Sequence, residues 1–232
     1  MCGDVGRLNI LVSVPHAGLE VPPEAAPYCI LSAEEIAEDG DVGAAEVYSI
    51  EDEVRAFVTT GIARAIVDMN RDVSDRGRDG VVKTHTCWEV QVYEPFPPEE
   101  TVDALLRTYY RSYHAELTRL SSGGVRLGVD CHTMCAVGPP VAADAGVERP
   151  WVCLSNADGT CPEEWLEDLK QAFSEEFDGS VMVNHPFRGG HIVRAHAGEL
   201  PWVQLELSRA PFCTDAEKRD RVLRALERVS LG

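Results

Sequence analysis

Hydrophobic positions fall in short runs between turn-forming residues, and the period of each run predicts its element. Leu8–Val14 (LNILVSV) reads as a strand that Pro15 to Gly18 break, leaving His16 just past its end. Ser32 followed by Glu35 has the form of a capping box opening a short helix, which Asp39-Gly40-Asp41 interrupts. A helix is expected over Ala44–Val58 and a strand over Arg64–Met69, followed by Asn70-Arg71. Residues 73–80 read as a polar surface loop and 81–93 as an edge strand or hairpin. Glu99–Ser121 is the longest expected helix, with Val102, Leu105, Leu106, Tyr109, Tyr113, Leu117 and Leu120 at helical spacing. Val125, Leu127 and Val129 alternate into a buried central strand that ends in Asp130-Cys131-His132. Beyond a Gly-, Pro- and Ala-rich loop over 136–150 come a strand at Trp151–Ser155 and a helix at Pro162–Phe177 with its proline near the start. A short strand at Val181–Val183, a strand at Trp202–Leu207 carrying Glu206 and a final amphipathic helix at Thr214–Val229 complete the pattern.

This alternation predicts an α/β fold: a single domain spanning 1–232, with a mixed, mostly parallel sheet flanked by helices. Reactive polar residues follow four of the expected strands: His16, Asn70-Arg71, His132 and Glu206. Open α/β sheets place their ligand sites at such carboxyl ends. Asp130 has the same strand parity as His132 and is placed to hold its imidazole.

Composition narrows the function classes. At 232 residues and 44% hydrophobic, the chain can bury a large core. The net charge of −18 argues against nucleic acid, whose phosphates it would repel, while leaving room for an anionic substrate held by local arginines. No apolar run approaches the ~18 residues of a membrane span. The start, MCGDVGRLNILVSV, lacks a basic leader, and the 8 cysteines show no CxxC pairing, so reduced thiols in a cytoplasmic protein are the expectation. No phosphate-binding glycine motif occurs. Cys131 and His132 are adjacent in a strand and point to opposite faces, which excludes them as nucleophile and base.

Two histidines from separate strand ends plus a carboxylate make the protein half of a hydrolytic zinc site. A second carboxylate that does not bind the ion, Glu206 by its position, is the candidate general base. Arg71 and Arg188 offer planar two-pronged donors for a substrate carboxylate.

Six segments in order resemble the N-formylglutamate amidohydrolase (N-formylglutamate deformylase) family: SVPHAG at 13–18, DMNRD at 68–72, YYRSYHAEL at 109–117, VDCHTM at 129–134, NHPFRGGHI at 184–192 and VQLELSR at 203–209. The resemblance implies a phosphorylase/hydrolase-type α/β domain akin to zinc carboxypeptidases and aspartoacylase. It also implies hydrolysis of an anionic N-acyl amino acid, with N-formyl-L-glutamate giving formate and glutamate, by Zn2+ or another divalent metal. Residue by residue, it puts His16 and His132 on the metal, Asn70 and Arg71 on the substrate carboxylate and Glu206 at the general base. The carboxypeptidase His-x-x-Glu element is absent, since position 19 is Leu19. The third ligand is expected at Asp41, in DVGAAEVY, with Glu20 and Asp39 as alternatives. The second acid of that segment falls on Ala45, a departure from the family pattern. Two other readings stand beside this one: a deacylase or carboxypeptidase-like hydrolase for another N-acyl amino acid or small peptide, and an inactive member binding a small acid or a partner. The sequence fixes no oligomeric state.

Overall fold

In a computed structural model, which describes residues 7–139, 142–178 and 180–229, a six-stranded sheet runs through the molecule. Its strands are β1 (Leu8–Val14), β2 (Val54–Thr59), β3 (Leu127–Met134), β4 (Val152–Ser155), β5 (Val181–Val183) and β6 (Trp202–Ser208), in the spatial order β2-β1-β3-β6-β4-β5. β2, β1, β3 and β6 are mutually parallel, whereas β4 runs antiparallel to β6 and carries β5 parallel to itself. The helices are α1 (Ala33–Asp39), α2 (Ala44–Val47), α3 (Glu99–Leu105), α4 (Arg111–Leu120), α5 (Glu163–Glu176), α6 (His191–Ala195) and α7 (Asp215–Arg228). A π turn over Leu106–Tyr110 joins α3 to α4. The expected mixed, mostly parallel α/β sheet is the observed one.

Strand parity divides the core in two and decides where the chemistry lies. Ile10, Val12, Leu127, Val129, Cys131, Val203 and Leu205 face α5 and α7, where they pack with Leu166, Leu169, Phe173, Val222 and Leu226. The alternate positions face α3 and α4. There the apolar Leu11 and Trp202 give way to Ser13, Asp130, His132, Gln204 and Glu206, all buried. One face of the central strands thus stays apolar along its length, and the other becomes polar toward the carboxyl end.

Local signals account for several elements. Ser32 caps α1 and Thr214 caps α7, each with a complete capping box. The amphipathic rod at 99–120 matches its spacing, with Leu105, Leu106 and Leu117 fully or nearly buried.

Two expected elements differ, and a third takes the second of its two expected forms. The helix over Ala44–Val58 stops at Val47, and Val54–Thr59 is β2 instead. Val54, Ala56 and Val58 are buried while Arg55 and Phe57 are less so, a period of two that belongs to a strand. Arg64–Met69 is no strand: its backbone turns, with Ile66 N–H donating to Ala63 O at 2.9 Å and Asp68 N–H to Val81 O at 2.9 Å. The run is apolar because it packs across the face of the sheet under α3 and α4. Residues 81–93 form a hairpin-like turn, closed by Thr86 N–H to Val90 O at 2.8 Å, without a strand ladder. In addition, β3 runs two residues past His132, and α6, not anticipated, follows Gly189-Gly190. Positions 140 and 141 of the 136–150 loop and the first six residues lie outside the described residues.

Candidate active site

His16 leaves the end of β1 on Pro15, and its carbonyl accepts the Asp41 N–H at 3.1 Å, which ties the α1–α2 turn to β1. His132 stands inside β3, with Asp41 reaching over it: His132 Nδ1 lies 3.0 Å from Asp41 Oδ2. The same oxygen accepts the Thr133 N–H at 3.2 Å and lies 3.6 Å from His16 Nδ1. The two imidazole rings are 4.8 Å apart at an interplanar angle of 60°. Residues 16 and 132, far apart in sequence, therefore share one point with Asp41.

Each imidazole is held from behind by its own carboxylate. His16 Nε2 meets Asp68 Oδ1 at 2.9 Å, and His132 Nε2 meets Asp130 Oδ2 at 2.9 Å. A carboxylate only accepts, so each Nε2 carries a proton; each Nδ1 faces the shared point, where it would offer its lone pair to an ion, and His132 Nδ1 without one donates to Asp41 Oδ2. His16 Nδ1 is buried and has no hydrogen-bond partner among the described residues. Two imidazole lone pairs and one carboxylate oxygen, all within 4.8 Å of one another, form a set that could hold a metal ion. Donors bound tetrahedrally at ~2.0–2.1 Å would stand about 3.3 Å apart, close to the observed 3.0 and 3.6 Å. Asp39 and Glu20 stand elsewhere. Asp39 accepts the Cys87 N–H at 2.7 Å, and Glu20 is exposed beside Ile62.

Burial alone would raise Asp41, but His16 and His132 hold it well below the usual carboxylate range. Burial would lower His132, but Asp130 and Asp41 hold it well above the usual imidazole range. Asp68 is likewise held low against its burial, by His16 and then by Arg71, Arg64 and Lys83.

Glu206 lies beside His132 across the β3–β6 pair, just as Gln204 lies beside Asp130. It is 7% exposed, and its Oε1 accepts from Gln204 Nε2 at 2.9 Å. Burial pushes its carboxyl up to about 7, with Asp41 adding to the rise and His132 opposing it. That range suits a group that must both take and return a proton near neutral pH. Gln204 Oε1 in turn accepts the Gly190 N–H at 2.6 Å and anchors the 184–190 segment.

The cleft above these groups measures about 380 Å³ and is lined by five arginines: Arg64, Arg71, Arg149, Arg188 and Arg209. Arg71 pairs with Asp79, and its Nη1 donates to the Asn70 carbonyl at 3.3 Å. Arg188 is the most exposed of the five, paired with Asp158 at 2.7 Å on the rim. Arg149 makes a two-pronged pair with Asp144 at 2.6 and 2.8 Å. Arg209 Nη2 donates to Gly40 O at 2.8 Å and to Thr133 O at 3.1 Å, and lies 3.5 Å from Asp41. Asn70 is buried: its Oδ1 accepts the Ile192 N–H at 2.8 Å and its Nδ2 lies 3.2 Å from His132 Nε2.

All seven residues singled out by sequence line this cleft. His16, Asp41, His132 and Glu206 gather at its floor; Asn70 lies beside His132, Arg71 on one wall and Arg188 on the rim. Sequence reasoning missed Asp68 as the partner of His16, and Arg64, Arg149 and Arg209 as lining groups; the alternation of Gln204 with Glu206 on one face does mark their pairing. Asp68 and Arg209 stood inside quoted segments, but nothing local marked their partners. Arg64 and Arg149 reach the cleft only through tertiary packing.

A sequence profile of N-formylglutamate amidohydrolases matches residues 8–213. The N-formylglutamate deformylase of Pseudomonas putida is 27% identical, aligned over 91% of this chain and 84% of that protein. The solved N-formylglutamate amidohydrolase from Ralstonia eutropha JMP134 superposes with a TM-score of 0.77 at 18% identity, covering 97% of this chain and 93% of the other. A gene product of Agrobacterium tumefaciens superposes with a TM-score of 0.73 at 17% identity, covering 96% and 90%. At such identities these two superpositions speak to the fold alone. Among the described residues no helix is long and apolar enough to cross a membrane.

Proposed function

Because the chain belongs to the N-formylglutamate amidohydrolase family, hydrolases acting on amide bonds, we propose that it hydrolyses N-formyl-L-glutamate to formate and L-glutamate with a zinc ion held by His16, Asp41 and His132. The observation that carries this reading is the buried, unpartnered Nδ1 of His16, turned with His132 Nδ1 and Asp41 Oδ2 toward one point beside Glu206. When bound, such an ion supplies Lewis-acid polarisation of a carbonyl and lowers the pKa of an adjacent water to about 7.

The chain's own residues supply the rest. Asp68 and Asp130 fix the two imidazoles in one tautomer and one orientation. Glu206 takes a proton from the attacking water as its oxygen bonds to the formyl carbon. It returns that proton to the amide nitrogen as the C–N bond breaks, so formate and the free amine leave with the atoms balanced. Arginines line the cleft where a dianionic substrate must enter, although Glu38, Asp39, Asp41, Asp79 and Glu206 line it too, so recognition falls to individual guanidinium groups. Arg188, exposed and paired with the rim carboxylate of Asp158, can exchange that partner for a substrate carboxylate. Arg71 faces the same cleft from the Asn70 side.

Metal analysis of the purified protein, with glutamate release measured on N-formyl-L-glutamate and on the N-acetyl analogue and formate measured for the former, tests the reading. The expected result is about one zinc or other divalent ion per chain and formate from the formyl substrate. Glu206→Gln should keep its ion and lose roughly 10²–10⁴ in turnover. Absence of formate release, or a Glu206→Gln protein that turns over at the wild-type rate, overturns it; cleavage of the N-acetyl analogue alone replaces formyl-glutamate with another N-acyl amino acid.

A further inference from the structure

The segment YYRSYHAEL takes no part in the chemistry just described, yet three of its side chains reach the site from α4 and the π turn before it. Tyr110 Oη donates to Arg71 O at 2.9 Å, and His114 Nε2 lies 3.0 Å from Met69 O, so the helix grips the backbone on either side of Asn70. Tyr113 reaches further. Its Oη lies 2.9 Å from Ser13 Oγ, Ser13 Oγ donates to Asp130 Oδ1 at 2.9 Å, and Asp130 Oδ2 lies 2.9 Å from His132 Nε2. Ser13 and Asp130 are directly paired across β1 and β3. The four residues are 5%, 0%, 0% and 3% exposed in that order.

Proton counting fixes the direction of every link. Asp130 only accepts, so Ser13 spends its one hydroxyl proton on Oδ1 and the His132 Nε2–H goes to Oδ2. The Ser13 oxygen is then left as an acceptor for the Tyr113 O–H at 2.9 Å, nearer than the Val58 carbonyl that the same hydroxyl faces at 3.5 Å. A core alternation ending in Leu11 would accept an apolar residue at position 13, but the chain carries a hydroxyl there.

We propose that Ser13 and Tyr113 are positioning residues for metal binding: a buried relay that locks the Asp130 carboxylate and, through it, the ring of His132. The inference rests on the reading of His132 as a metal ligand. Loss of the Ser13 proton frees one oxygen of Asp130 and lets the carboxylate turn about its Cβ–Cγ bond, so His132 no longer presents Nδ1 in one fixed direction. Partners outside the ligand set change metal affinity by about 10–100-fold, and Ser13, one bond further out, belongs at the lower end. Tyr113 acts only by holding the Ser13 rotor.

The test strips the protein of metal, reloads it with zinc and measures the dissociation constant by chelator competition for wild type, Ser13→Ala, Tyr113→Phe and the double variant, with melting of the stripped proteins alongside. Ser13→Ala should weaken zinc binding about tenfold and Tyr113→Phe about threefold, while the double variant matches Ser13→Ala, because the tyrosine has nothing left to hold. A purely structural role would lower the melting temperature of the stripped proteins and leave the reloaded dissociation constants together. Zinc affinity of Ser13→Ala within twofold of wild type overturns the proposal. So does a Tyr113→Phe loss of the same size in both backgrounds. Should Ser13→Ala fail to fold, an unchanged dissociation constant in Tyr113→Phe overturns it alone. A wild-type chain that takes up no divalent ion removes the metal reading and this inference together, whereas tight wild-type binding with no effect of the variants removes only the inference.

Discussion

Glu206 is a carboxylate kept where ionisation is disfavoured, and that has a thermodynamic signature. In the metal-free protein its carboxyl is pushed up from 4.5 to about 7, first by burial. The folded state then binds this proton more tightly than the unfolded chain between about pH 4.5 and 7, so the contribution of Glu206 to stability falls as pH rises through that window. Comparing urea unfolding of metal-free wild type and Glu206→Gln at pH 5 and pH 8 should show wild type losing on the order of 3 kcal/mol relative to the variant. No such relative loss would mean the carboxyl is already ionised at pH 5. The same residue shows what was legible one position at a time. His16, His132 and Glu206 stand out because each interrupts or follows an apolar run of fixed period. Asp68 does not, since its role depends on a partner 52 positions away. Arg188 was legible as a cation near the site, but its pairing with Asp158 was not, because it joins two loops of no fixed register.

At the level of elements, segments that lack a ladder are held by charge. Lys83 is fully buried, with its Nζ on Asp79 Oδ1 at 2.5 Å and 3.5 Å from both Asp39 and Asp68. It therefore pins the hairpin-like 81–93 turn to the carboxylate that orients His16. Lys83→Met leaves three carboxylates sharing Arg64 and Arg71. Breaking a buried pair from one side typically costs about 3–5 kcal/mol, and denaturant unfolding should show a loss of that size; a loss below about 1 kcal/mol would mean that water already solvates the pair. Such elements are also where the pattern of hydrophobic positions misleads. Arg64–Met69 has the apolar content of a strand because Ile66, Val67 and Met69 are buried, but periodicity reports burial and not the identity of the hydrogen-bond partner. Ala44–Val58 merged a four-residue helix with a strand because Ser49–Glu53 carries no proline or glycine to mark the change. β1, β3, β6, α5 and α7 were legible because each is bounded by turn residues or a cap and keeps one period throughout.

For the molecule as a whole, the centre of the sheet is set by one small residue. Gly128 in β3 pairs with Trp202 in β6, and a Cβ at 128 would fall 2.2 Å from the indole. Gly128→Ala should therefore push the two central strands apart or displace the tryptophan, at about 1–3 kcal/mol, read as a lowered denaturation midpoint. A midpoint equal to wild type would show that the indole can move without loss.

The reversal of β4 against β6 decides where the connection from β3 returns. A parallel crossover would have taken the chain from the end of β3 to the far edge of the sheet and back. Because β4 runs the other way, Trp151 accepts the Ser208 N–H at 2.8 Å, so the stretch leaving Met134 departs and lands on the same rim, above the floor that holds the two histidines. Both ends of this span sit on one side, and Ala142 and Arg149 within it line the cleft. Substitutions at these positions change the cleft wall, while His132 and Glu206 stay on strands of fixed register.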